Sequence, residues 1–213
     1  MANTGTAEKP PRVANSIPGY DYGSPSIARS PVSERELELL QQSAGFTEDD
    51  RQWLRAMGEI LSGRTKELVG KWREAIAAHP HLVQYSRRPD GSSDPQYSER
   101  SGLRFQQWVL DTCFRPWDQD WLNYQQEMAL RHTSLKKNKT DQAQSAPAIH
   151  LRHIIAFSAV IGDPEILKPF LAGSGRSAEE IEKMLRAWSK SLWLQAALWC
   201  EPYTDPKLAP NEW

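Results

Sequence analysis

The sequence predicts an all-α fold for one domain that runs from about residue 31 to residue 201. Three observations support this prediction. Apolar residues recur three and four positions apart, which places them on one face of a helix. Several segments begin with Ser or Thr followed three positions later by an acidic residue, a signal for a helix start. No run of five or more residues alternates between apolar and polar with β-branched enrichment, so we expect no strand.

The composition bounds the architecture and excludes several classes of partner. A chain of 213 residues suffices for one domain with a sizeable core, or at most two small ones. Its 26 basic and 27 acidic residues give no support to nucleic-acid binding. No segment is long and apolar enough to span a membrane, and the N-terminus lacks an apolar signal core, so we expect a cytoplasmic protein. Nine tryptophans indicate a core of bulky rings, or rings packed against something flat.

Both ends of the chain are predicted to lie outside the helical domain. Residues 1–30 have no hydrophobic period and form an extended arm, partly packed on the domain. Within it, residues 17–23 (IPGYDYG) combine a Pro-Gly turn with two tyrosines, which suits a segment lying against a folded surface. Residues 202–213 are expected to form a C-terminal tail.

Helical signals follow one another from residue 33 to residue 79. Ser33-x-x-Glu36 has the form of a capping box and opens a short amphipathic helix. Thr47-x-x-Asp50 opens a longer apolar pattern, which we divide into two helices near Gly63 because glycine interrupts helices. The apolar positions of this pattern are Trp53, Leu54, Met57, Leu61, Leu68, Val69, Trp72 and Ile76.

Five further helices are predicted after a turn-rich loop at residues 87–95. The first covers about 96–112 and the second 117–132. Ser145-x-Pro147 predicts the start of the third. Residues 163–171 form a short fourth helix. Ser177-x-x-Glu180 caps the fifth, which we expect to end at Pro202.

The helix at 117–132 carries the main candidate for chemistry. Trp117, Trp121, Tyr124, Met128 and His132 are spaced by four, three, four and four residues, so one face is aromatic and apolar and ends in a histidine. A neutral, partly desolvated and rigidly aimed imidazole suits an iron or zinc ion. A single histidine on an apolar face is also often a satisfied core residue, so this spacing alone does not identify a metal site.

Other familiar sites find little support in the sequence. The patterns GxGxxG, GxxxxGK[ST], HExxH, CxxC and GxSxG are absent. His150 and His153 are three apart on a helix, yet no carboxylate or cysteine accompanies them. The lysines at 136, 137 and 139 follow a helix end and are interpreted as solvated. One protein ligand from one helix suits haem iron, where the porphyrin supplies four nitrogens, and does not suit zinc.

Separated segments of the chain resemble the protoglobins, single-domain relatives of the haem domain of globin-coupled sensors. The matching pieces are IPGYDYG (17–23), HPHL (79–82), WVLDT (108–112), WLNYQQEMALRH (121–132) with the following KKN and TD, KPFLA (168–172) and ALW (197–199). The resemblance covers nearly everything from residue 17 to residue 213. It implies an expanded globin fold with an additional N-terminal helix, here the one after Ser33, and an extended N-terminal arm.

The resemblance also implies a cofactor and its contacts. The family carries haem b (iron protoporphyrin IX), with iron bound by a proximal histidine at the end of the F helix. The matching residue is His132. Arg104 matches an arginine that pairs with a haem propionate. The remaining haem contacts that the resemblance implies are Trp72, Phe105, Met128, Phe157 and Ile161.

The chain departs from the family at Arg73, where well-known members have an aromatic or small residue, often Tyr. An arginine near the iron would offer five donors to bound O₂ or to an anion. Burying its charge without a partner would be costly, so it either turns outward or pairs with a carboxylate or propionate.

Three functions follow from these observations. The leading hypothesis is a haem protein that reversibly binds the diatomic gases O₂, CO and NO, for oxygen binding or gas sensing. The second is a haem enzyme with NO dioxygenase, peroxidase or nitrite chemistry, which Arg73 would favour by stabilising an anionic intermediate. The third is a haem-free helical interaction domain. The resemblance further implies a homodimer formed through the G and H helices.

Overall fold

The computed structural model describes residues 10–205 and residue 212. Regular structure in this part of the chain is helical, and an isolated bridge joins Arg87 and Ser93. The predicted all-α fold is confirmed. The helices are α1 (Glu34–Ser43), α2 (Glu48–Leu61), α3 (Thr65–Ala77), α4 (Pro80–Val83), α5 (Pro95–Phe114), α6 (Gln119–Leu130), α7 (Leu151–Ile161), α8 (Pro164–Leu171), α9 (Ala178–Trp199) and α10 (Glu201–Thr204).

Several helices start at the predicted side chains. The Ser33 hydroxyl accepts a hydrogen bond from the backbone N–H of Glu36 at the start of α1. Thr47 forms a complete capping box with Asp50, and Ser177 forms another at the start of α9. These side chains satisfy backbone N–H groups that have no partner inside the helix.

Helix α6 is shorter than predicted at both ends. The Asp118 carboxylate accepts a hydrogen bond from the backbone N–H of Trp121, so the helix begins after Trp117 rather than at it. The helix ends at Leu130. The spacing predicts that His132 lies in the last turn of the helix. In the structure it lies in the turn that follows the helix.

The predicted helix start at Ser145 is wrong. Helix α7 begins six residues later, at Leu151. The Ser145 hydroxyl accepts a hydrogen bond from Lys137 Nζ (2.6 Å) and donates to Asn138 Oδ1 (2.9 Å). These bonds hold residue 145 against the segment after α6, so its side chain does not cap a helix.

The predicted stop at Pro202 is also corrected. Helix α9 ends at Trp199, and Pro202 lies in the first turn of the short α10. Proline is well tolerated there because a first-turn residue needs no donor within the helix.

The helices pack around a core of bulky rings. Helix α2 packs against both α5 and α9, while α3 contacts α5 and α6 contacts α9. Gly58 permits the close approach of α2 to α5, because a Cβ at this position would lie 2.5 Å from that of Cys113. Trp72 stacks on Trp188 with ring centres 6.3 Å apart, and both are fully buried. No described helix is long and apolar enough to cross a membrane.

The described part of the N-terminal arm lies along α5 and α6. The backbone N–H of Val13 donates to Gln107 of α5 (3.1 Å), and that of Ser30 donates to Asn123 of α6 (2.9 Å). Between them Ile17 is buried. Residues 1–9 of the predicted arm, and 206–211 and 213 of the predicted tail, lie outside the described residues.

Candidate functional site

A cavity of about 500 Å³ lies between α3, α5, α6 and α7. The segments before α5 and after α6 complete its wall. Its volume falls within the roughly 300–1,000 Å³ that is usual for sites of cofactors and small molecules. Most of its lining is apolar. The apolar side chains that line it include Ile76, Leu82, Val83, Phe105, Trp108, Met128, Ile149, Ile154, Phe157, Ile161 and Trp199.

His132 lines this cavity and has a defined tautomer. Its Nδ1 lies 2.7 Å from the backbone oxygen of Met128. Because a carbonyl only accepts hydrogen bonds, this contact assigns the proton to Nδ1 and leaves the lone pair on Nε2. Burial lowers the pKa of the imidazole, and the charges of Lys137 and Arg131 lower it further. A neutral imidazole held through Nδ1–H by a backbone carbonyl is the usual state of a histidine that ligates a metal.

Seven of the eight predicted site residues line the cavity. They are Arg73, Arg104, Phe105, Met128, His132, Phe157 and Ile161. Trp72 is the exception, because it is fully buried one layer behind the wall. Its ring stacks on Phe105 with centres 5.3 Å apart, and its Nε1–H has no hydrogen-bond partner among the described residues. Trp72 therefore supports the cavity wall through Phe105.

Arg73 extends along the start of α5. Its Nη1 donates to the backbone oxygen of Ser98 (2.8 Å) and its Nη2 donates to the hydroxyl of Ser101 (2.9 Å). Gly102 leaves room for the guanidinium, since a Cβ there would lie 3.0 Å from Nη1. The guanidinium thus bonds to neutral oxygens of α5. It neither pairs with a carboxylate of the described residues nor turns outward into solvent.

Arg104 is already paired with a carboxylate. Both of its terminal nitrogens donate to Asp141, and Nη1 also donates to the backbone oxygen of Pro18 (2.7 Å). The Asp141 side chain is only 3% exposed, so this is a largely desolvated pair. Asp141 therefore already gives this guanidinium one carboxylate partner, and the pairing with a haem propionate that the resemblance implies stays a prediction.

Arg131 holds the arm on the same edge of the cavity. Its guanidinium donates to Glu127, to the carboxylate of Asp21 and to the backbone oxygen of Gly19. Gly19 has φ of +70°, and a Cβ there would lie 2.7 Å from the methyl carbon of Thr140. Both the backbone conformation and the available space therefore require glycine at this position. Together with Arg104, this arginine fixes the arm at the cavity edge.

The prediction that Lys137 is solvated is wrong, because the structure buries this side chain. The residue is 3% exposed and lines the cavity. Its Nζ donates to the backbone oxygen of Tyr85 (2.8 Å) and to the hydroxyl of Ser145 (2.6 Å). Burial lowers the pKa of this amine to about 8. The signal available in the sequence was the KKN run, which belongs to the segments that resemble the family.

Four histidines from distant parts of the chain form one cluster. The rings of His79 and His81 lie 5.6 Å apart, His81 and His153 also 5.6 Å, and His153 and His150 6.1 Å. His153 bonds through Nδ1 to the hydroxyl of Tyr85 (2.8 Å). In the part of the chain that the structure describes, no three His, Cys, Asp or Glu side chains are arranged to hold a metal ion. The cluster therefore carries no metal assignment.

The cavity residues fit an iron porphyrin. His132 offers one neutral nitrogen donor, which is what a metal already bound by four ring nitrogens needs. The apolar walls suit a flat hydrocarbon ring, and the cationic side chains suit carboxylate substituents.

Comparison with known proteins adds one finding. The model of a family described as Protoglobin matches residues 33–208. No curated protein matches the chain. The matched range contains helices α1 to α10 and all residues that line the cavity.

Proposed function

Because the chain belongs to the protoglobin family, we propose that it is a haem b protein that reversibly binds O₂, CO and NO. Membership indicates a globin-like haem protein that binds gases, and it identifies the helical fold as a globin fold in which α1 is the additional N-terminal helix. Haem b, iron protoporphyrin IX, would supply ferrous iron with an open coordination position for a gas. The observation that carries the proposal is the neutral His132 with its free Nε2 in an apolar cavity.

We propose His132 as the iron ligand. The hydrogen bond to Met128 fixes the ring orientation and makes Nε2 the donor atom without loss of a proton. Burial keeps the ring unprotonated to lower pH than an exposed histidine. The ring also stacks on Trp199, with centres 6.3 Å apart, and this contact restricts its rotation. The imidazole is therefore pre-organised for a metal.

The remaining walls explain why small uncharged gases suit this cavity. Phe105, Phe157 and Ile161 restrict the space and offer no hydrogen-bond donors from their side chains. The part of the cavity that these side chains line penalises charged or strongly hydrated ligands, which would lose their water there without compensation. Met128 contributes its thioether to the same lining. We propose that these four side chains contact the porphyrin and set gas affinity mainly by steric restriction.

Visible spectroscopy tests the proposal directly. Purified protein given haem should acquire the spectrum of a histidine-ligated haem, change on reduction, and change again under CO, with the CO form reverting when the gas is removed. Protein that stays colourless after haem is offered would support the haem-free interaction domain instead. The predicted cytoplasmic location and the choice between oxygen binding and gas sensing stay predictions.

The enzymatic alternative depends on Arg73, and the position of this side chain weakens it. The guanidinium bonds to Ser98 and Ser101, so it would have to leave both to stabilise an anionic intermediate. Turnover of NO, peroxide or nitrite in the presence of a reductant separates this function from reversible gas binding.

We also propose a homodimer through α7 and α9, the G and H helices. Trp193 of α9 is 55% exposed, whereas the other described tryptophans are buried or half-buried. A large exposed ring is typical of a contact surface.

We expect Trp193→Lys to shift the protein from dimer to monomer in analytical ultracentrifugation. Leu39→Lys, at an exposed apolar residue of α1, is the matched control and should leave the dimer intact. Wild-type protein that sediments as a monomer would refute the proposal.

A further inference from the structure

The cavity carries an excess of positive charge. Among the described residues, the one acidic side chain in its lining is Asp141. Five cationic side chains line it, namely Arg73, Arg87, Arg104, Arg131 and Lys137. Such an excess beside an apolar chamber suits an occupant that is flat and apolar with anionic substituents.

Carboxylates of the protein neutralise only part of this charge. Arg104 is paired with Asp141, and Arg131 with Asp21 and Glu127. These two guanidinium groups therefore bring little uncompensated charge to an occupant.

Arg73 and Lys137 both lack a carboxylate partner among the described residues, and Lys137 is the more deeply buried of the two, at 3% exposed against half-buried for Arg73. In the described part of the chain no carboxylate oxygen lies within 4 Å of its Nζ, which contacts only oxygens of Tyr85, Ser145 and Asn138. The face of the Tyr97 ring lies 5.5 Å from Nζ. Placing an ammonium group away from water among neutral groups is costly unless an anion accompanies it.

We infer that Lys137 binds a carboxylate of the cavity's occupant, and that this occupant is a porphyrin with free propionates. The inference rests on the proposed function, and it gives Lys137 the kind of contact that the family resemblance implies for Arg104. A carboxylate that accepts from Nζ would replace the missing counter-ion and would convert a costly buried charge into a charge-assisted hydrogen bond. The depressed pKa of the amine agrees with this, since a bound carboxylate would restore it.

Two porphyrins and two variants test the inference. The probes are ferric haem b and its dimethyl ester, which lacks the carboxylate charges. Lys137→Gln keeps a donor for Tyr85 and Ser145 but removes the charge, whereas Lys137→Arg keeps the charge. We expect Lys137→Gln to weaken haem binding roughly tenfold to a hundredfold, the usual effect of losing a hydrogen bond to a charged group, and to leave the affinity for the ester nearly unchanged. Lys137→Arg should retain a preference for the acid over the ester.

One control variant accompanies this test, and two different results would contradict either the inference or the proposed function. Lys139→Gln, at an exposed lysine of the same segment, should bind both porphyrins as the wild type does. Equal loss of affinity for both porphyrins in Lys137→Gln would show that the lysine only holds the loop together, and would overturn the inference. Wild-type protein that binds neither porphyrin would refute the proposed function instead.

Discussion

Replacing His132 with glycine is expected to abolish stable haem binding. Among the described residues that line the cavity, His132 is the histidine whose Nδ1 proton is held by a helix carbonyl, which leaves the Nε2 lone pair free for a metal. Changing the partner of a metal-bound histidine typically weakens metal affinity about 10- to 100-fold, so loss of the ligand itself should exceed about 100-fold. The measurement is a titration with ferric haem followed in the visible range. Added imidazole should restore the wild-type spectrum, because it can enter the vacated space.

A second histidine of the same cavity provides the control. His153 also lines the cavity, and its ring bonds to Tyr85 rather than to a helix carbonyl. We expect His153→Gly to retain haem with an unchanged spectrum. If His132→Gly binds haem as tightly as wild type while His153→Gly does not, the iron ligand has been assigned to the wrong side chain.

The fold could be predicted largely because its signals are local. Capping side chains such as Thr47 and Ser177 act on backbone groups within three residues, so the sequence pattern and the structure agree. Ser145 shows where this reasoning fails. A serine near a proline has the composition of a helix start, but its hydroxyl is bonded to a lysine eight residues earlier in a loop. Spacing cannot report a contact that depends on how a loop folds back.

The site was predicted from the resemblance more than from the residues. Periodicity placed His132 on an apolar face, but the matching segments supplied its role. The resemblance implied that Trp72 contacts the haem, but its ring is stacked between Phe105 and Trp188 and lies behind the cavity wall. Lys137 was missed because three lysines after a helix normally face solvent. Its burial depends on the path of the chain around Ser145, which no local rule contains.

The ion pair between Arg104 and Asp141 is expected to make a large contribution to the free energy of unfolding. We expect Asp141→Asn to lower the free energy of unfolding of the haem-free protein by about 3 kcal/mol, because removal of one partner leaves a buried charge uncompensated. The side chains are 13% and 3% exposed, so little water is available to replace the carboxylate. Urea unfolding at neutral pH measures the change. Asp21→Asn removes a partner of Arg131 that is 42% exposed, and should cost less than about 1 kcal/mol.

Haem binding should reduce the loss of unfolding free energy that Asp141→Asn causes. In Asp141→Asn the Arg104 guanidinium lacks its carboxylate but still lines the cavity, so a haem propionate can take the place of Asp141. Whatever binds only the folded state stabilises it, and haem should therefore stabilise this variant more than it stabilises the wild type. The comparison is the difference in unfolding free energy between variant and wild type, measured without haem and with it. An equal difference in both states would mean that Arg104 does not reach a propionate, and the pairing implied by the family resemblance would then not apply to this chain.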